Sequence, residues 1–141
     1  MRAILFVLLF IIGAAGCAGS KEMYNDFVKL NGTWLPVNQE IGGKQLPKAV
    51  YENQKLIMND GEYTVLAESA DKGFVKLDND RMDIFGKDGP NKGKHFTAIY
   101  KLEDGLLTIC YNLKGDSYPA KFDTQGKPLY FLSVFKKDSG K

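Results

Sequence analysis

The stretch His95-Phe96-Thr97-Ala98-Ile99-Tyr100-Lys101-Leu102-Glu103-Asp104-Gly105-Leu106-Leu107-Thr108-Ile109-Cys110-Tyr111-Asn112-Leu113 decides the fold. Two apolar-rich runs flank Asp104-Gly105. Asp-Gly in that setting is the strongest short-range hairpin signal, because glycine takes the positive φ that a tight turn needs. Successive side chains of an extended chain point to opposite faces. Phe96, Ala98, Tyr100 and Leu102 therefore share one face of the first run, and His95, Thr97, Ile99 and Lys101 the other. In the second run Leu107, Ile109, Tyr111 and Leu113 oppose Leu106, Thr108, Cys110 and Asn112. Both faces of this run are partly apolar, so pattern alone leaves open which side turns inward.

Working outward, Thr33 to Glu40 reads as a first strand. Lys55 to Met58 and Tyr63 to Glu68 flank Asn59-Asp60-Gly61-Glu62, and Phe74 to Leu77 and Met82 to Phe85 flank Asp78-Asn79-Asp80. Leu129 to Lys136 closes the set, for eight strands joined mostly by short turns. The chain is all-β and reads as an antiparallel meander. Eight tilted strands can close into an up-and-down barrel, which leaves no edge to aggregate. Tyr24 to Leu30, with Phe27, Val28 and Leu30 at helical spacing, predicts a short N-terminal helix over one end. Ile41 to Gln54 and Gly86 to Lys94, rich in Gly, Pro, Lys and Asn, are the long connections and predict mobile rims.

Ahead of the barrel stands an address. Met1-Arg2 is a basic start, Ala3 to Ile12 is an apolar run of ten residues, and Gly13-Ala14-Ala15-Gly16 supplies small residues before Cys17. That is a secretory signal layout. The apolar stretch Ala3 to Ala18 counts 16 residues, short of the roughly 20 that span a bilayer. Ala14-Ala15-Gly16-Cys17 also resembles the bacterial lipobox, with alanine where leucine is usual. The resemblance makes Cys17 the lipid attachment point and implies a palmitate-type anchor. It divides the chain into a signal peptide 1–16, a lipidated tether 17–23 and a barrel domain 24–141. Two or three acyl chains give stable membrane attachment where one is marginal. Ala18 after the cysteine resembles lipoproteins sorted to the outer membrane, so the expected location is the bacterial cell envelope, on the periplasmic face of the outer membrane in a Gram-negative cell. With Cys17 acylated, Cys110 has no partner in the chain and is expected as a buried free thiol.

Length and charge narrow the function. A chain of 141 residues and 15.7 kDa is one domain by size. With 19 Lys+Arg against 17 Asp+Glu there is no global field to favour a polyanion, and nucleic acid is not an expected partner. The lone His95 and two cysteines provide no zinc-ligand cluster, so no metal is expected. Gly86 to Lys94 lacks the Gly-x4-Gly-Lys-[Ser/Thr] pattern and a following helix, so it is no phosphate loop. Asp78, Asp80 and Asp83 lack the glycine and distal glutamate of a calcium loop. Any catalytic triad would have to use His95, and no serine lies near it in sequence. Glu62 and Glu68 are about 20 Å apart on extended chain, too far for paired acid/base work.

Two further stretches carry a resemblance. Leu30-Asn31-Gly32-Thr33-Trp34 looks like the Gly-x-Trp start of lipocalin-type barrels, whose tryptophan closes the barrel floor. Asp88-Gly89-Pro90-Asn91-Lys92-Gly93-Lys94, followed by Ala98 to Glu103 and Leu107 to Tyr111, is similar to a bacterial family of small lipocalin-like domains of unknown function, first noticed as expanded in planctomycetes. The similarity runs from about Leu30 to Lys137. Where that family has an Arg-Pro pair before the last strands, this chain has Tyr118-Pro119. The resemblance implies a lipocalin-like barrel and no established catalytic residues. A cavity in such a barrel would take a small lipophilic ligand, and Trp34, Phe96, Tyr100, Cys110 and Tyr111 are its candidate lining. The expected function is ligand binding without catalysis or cofactor, on a membrane-anchored lipoprotein. The alternative is a solid-core protein-interaction module, an envelope inhibitor or assembly factor docking through the loops Ile41 to Gln54 and Gly86 to Lys94.

Overall fold

The computed structural model describes residues 18–140, so the expected signal segment 1–16 and Cys17 lie outside the described residues. A helix, α1 (Ala18–Leu30), leads into β1 (Gly32–Ile41), β2 (Lys44–Gln45), a one-turn helix α2 (Lys48–Tyr51), β3 (Lys55–Asn59) and β4 (Glu62–Leu66). The chain continues through β5 (Ala70–Asp78), β6 (Arg81–Asp88), β7 (His95–Glu103), β8 (Leu106–Asn112) and β9 (Tyr130–Lys137). All pairings are antiparallel. β1 pairs with β3 on one side and β9 on the other, so eight strands close into an up-and-down barrel and β2 adds a ninth as a flap on β1.

The turn chemistry explains the meander. At the β3–β4 turn Asp60 has φ 46° and Gly61 φ 88°, and at the β7–β8 turn Asp104 has φ 53° and Gly105 φ 75°. Two consecutive positive φ values are what a two-residue hairpin with native twist requires. Asn79, at φ 55°, serves the β5–β6 turn.

These three turns sit at one end of the barrel, and α1 covers it. Phe27 packs against Gly61, and Asn31 exchanges two hydrogen bonds with Asp60, at 2.8 Å from its Nδ2 and 2.7 Å to its Oδ1. Behind the helix Leu30, Trp34, Leu77, Ala98, Leu107 and Phe135 fill the interior. The Trp34 indole N–H donates to the Leu30 carbonyl at 2.8 Å, which satisfies one of the acceptors that a helix C-terminus leaves free. This end is a closed floor.

Several expectations need correction. The N-terminal helix expected over Tyr24 to Leu30 begins earlier, at Ala18. The rim 86–94 is held by its own hydrogen bonds, Gly86 N–H to Lys94 O at 3.0 Å and Gly93 N–H to Gly86 O at 3.0 Å. The rim 41–54 contains β2 and α2. The longest connection is the β8–β9 segment 113–129, which folds against the outer wall as a strap. Asn112 Nδ2 donates to Asp116 Oδ1 at 2.8 Å and to Ser117 O at 2.9 Å. Thr97 Oγ1 donates to the same carbonyl at 2.5 Å, and Thr124 Oγ1 donates to Glu40 Oε1 at 2.6 Å.

Candidate ligand cavity

The strap settles which face of β8 points inward. Leu107, Ile109 and Tyr111 face the barrel interior, whereas Cys110 lies on the outer wall in a second small core with Ile99 and Leu132, roofed by Phe122. Cys110 is fully buried there and burial raises its thiol pKa, which marks an inert packing residue. Its expected buried free thiol is found, but its place among the cavity residues is corrected.

Opposite the floor the barrel is hollow. A cavity of about 520 Å³ opens between α2, the β4–β5 turn and the β6–β7 loop. Met58, Val75, Met82, Ile84 and Ile109 line its deep part, with Phe96 on the wall. Gln54, Glu68, Ser69, Asp71 and Asn91 contribute polar atoms to its lining. A small adjoining recess of about 80 Å³ lies where Gln39 and Gln54 bridge β1 and β3. These two strands pair only through Gly32, Thr33 and Trp34. A bulge between Pro36 and Asn38 brings Gln39 inward, where its Nε2 donates to Gln54 Oε1 at 3.1 Å and Ser133 Oγ at 3.3 Å.

Of the sequence-predicted residues, Phe96 and Tyr111 line the cavity. Trp34 and Tyr100 do not: both pack in the apolar core, Trp34 at the floor. Sequence reasoning missed Tyr63, Asp71 and Asn91. Asp71 Oδ1 accepts the Asn91 N–H at 3.0 Å, and its Oδ2 accepts Asn91 Nδ2 at 2.9 Å and the Tyr63 hydroxyl at 3.3 Å. The available signal was Asp-Lys-Gly, where Gly73 leaves room beside the Tyr63 ring that a Cβ would occupy, at 2.7 Å from Tyr63 Cε1.

Burial pushes the Tyr63 hydroxyl up, and the Asp71 charge and hydrogen bond push it further. Burial, with a smaller contribution from Tyr63, also pushes up Tyr111. Both therefore stay neutral through physiological pH, and the Tyr111 ring offers the cavity an apolar wall with a polar tip. His95 is elsewhere, on the outer wall. Its Nε2 lies 2.7 Å from Asp83 Oδ1, its ring stacks on Phe85 with centroids 4.6 Å apart, and Tyr118 donates to Asp83 Oδ2 at 2.5 Å. No serine or cysteine hydrogen-bonds it among the described residues, and no group there has the ligands for a metal ion.

Fold and cavity together define an antiparallel barrel with a plugged floor, an apolar bore and a polar mouth. No protein-family model matches the chain, and no curated protein matches it. An uncharacterized protein from Bacteroides eggerthii, solved by crystallography at 2.60 Å resolution, is similar in fold, with a TM-score of 0.50 and 14% identity over 77% of this chain and 98% of that one.

Proposed function

We propose that this protein is a membrane-anchored lipoprotein of the bacterial envelope whose lipocalin-like barrel binds a small lipophilic ligand without transforming it. The observation that carries this reading is the cavity of about 520 Å³, apolar in depth and polar at its mouth. Its volume falls in the range of about 300 to 1,000 Å³ typical of small-molecule sites. An apolar chain would fill the bore against Met58, Val75 and Met82 while its head meets Asn91 and Gln54. The hollow weighs against a solid interaction module, since a barrel selected only for its outer surface gains packing energy by filling its interior.

The test is saturable uptake of a neutral apolar fluorophore, N-phenyl-1-naphthylamine, by the purified protein. One-to-one binding is expected, and Ala67→Trp, which puts an indole into the mouth from the exposed β4–β5 turn, should abolish it without lowering the melting temperature. Absence of uptake by the unaltered protein, or undiminished uptake by Ala67→Trp, would refute the reading.

A further inference from the structure

Granted the ligand site proposed above, its charge has one sign. Asp71 and Glu68 line the cavity, and no lysine, arginine or histidine does so. Neither carboxylate takes part in an ion pair among the described residues. Lys55 borders the adjoining side recess of about 80 Å³ rather than the bore itself. Asp71 is only 7% exposed, and every group that holds it is neutral: the Asn91 backbone and side-chain amides and the Tyr63 hydroxyl. These donors orient the carboxylate without cancelling its charge. A carboxylate has about four acceptor positions, so with three donors one remains open. A charge next to an apolar bore is screened less than one in water, and a second negative charge there is repelled.

We propose that the cavity selects amphiphiles whose head group donates hydrogen bonds and carries no negative charge, alkylammonium compounds first, and that it turns fatty acids away. An ammonium head seated among Asp71, Glu68 and Asn91 supplies the missing positive charge and a donor for the open acceptor position. A hydroxyl head supplies only the donor and ranks second. A carboxylate supplies neither.

The test is displacement of bound N-phenyl-1-naphthylamine at neutral pH by decylammonium, decanol and decanoate, all below their aggregation limits. Decylammonium should displace at about a tenth of the decanoate concentration, a difference of ~1.4 kcal/mol. The gap should narrow in Asp71→Asn and in Glu68→Gln. Glu68 is exposed at the rim, so Glu68→Gln keeps the test alive if Asp71→Asn fails to fold. Bound reporter with decanoate competing as well as decylammonium, or a gap unmoved by both substitutions, would overturn the charge selection and leave the cavity reading standing. No reporter binding at all would remove both.

Discussion

The Trp34 ring does two jobs in the floor: it fills volume, and its N–H satisfies the Leu30 carbonyl at the end of α1. Trp34→Ala should therefore cost about 3 to 5 kcal/mol in urea denaturation, in the range for large aromatic truncations. Trp34→Phe, which retains most of the packing, should cost about 1 to 3 kcal/mol for the orphaned carbonyl and the smaller ring. The tyrosines set an alkaline limit. Tyr63 and Tyr111 are raised above the ordinary 10.0, chiefly by burial, and Tyr100 is pushed up to about 12. In this window the unfolded chain has released protons that the folded chain keeps, so stability falls as pH rises. Stability supplied by these hydroxyls should be full below about pH 10 and decline above it, at up to ~1.4 kcal/mol per pH unit for each proton. Tyr111→Phe should flatten the decline in denaturation midpoints measured from pH 9 to 12; an unchanged slope would show that its hydroxyl ionises freely. At this scale the sequence was half legible. The alternation of β8 made Ile109 and Cys110 opposite in face, but both faces are apolar because the strap buries the outer one, and no local pattern announces a strap. Asp71 was invisible as a cavity residue because Asn91, which orients it, lies 20 positions away.

Among the elements, the hairpins were the most readable, since each depends on residues within a few positions of its turn. Asp60-Gly61 and Asp104-Gly105 adopt the positive φ values that their identities suggest. The connections were less so. The β6–β7 loop looks flexible by composition, yet Gly86 permits its ordered return: a Cβ on Gly86 would meet the Asn91 carbonyl, and Gly89 takes φ 91° against Ala70. Gly86→Ala should push the loop off the wall, lower the melting temperature and disturb the Asn91 contacts to Asp71. Loss of protection from hydrogen exchange at residues 86–94, with the strands still protected, would mark the loop as a local unfolding unit. The strap has its own pin. Asn112→Ala removes bonds to Asp116 and Ser117, and should speed proteolysis within 113–129 before it unfolds the barrel. Simultaneous loss of strap and barrel would show that the Ile99–Cys110–Leu132 core is needed for closure.

The whole molecule joins a packed lower half to a hollow upper half. That division follows from side-chain size and placement: Trp34, Leu107 and Phe135 fill the floor, while the small Ala67 and Ser69 line the mouth. Barrel closure was legible from the strand count, because eight successive antiparallel strands have a simple way to hide both edges. The location of the hollow was not, because volume inside a barrel is a sum over strands far apart in sequence. The proposed anchor is tested on the same scale. Cys17→Ser should move the protein from the membrane pellet to the soluble fraction, and its persistence in the pellet would exclude acylation at that residue.

The helix that plugs the floor carries a further consequence for geometry at a bilayer. α1 starts at Ala18, directly after the proposed acylation site, and its C-terminal end packs on the floor, on the side away from the cavity opening. A vessel moored by the proposed anchor at that end would hold its aperture toward the aqueous compartment. Cargo would then be exchanged with soluble carriers or passing solutes, and transfer rates to acceptor vesicles should be insensitive to the lipid on which the protein stands.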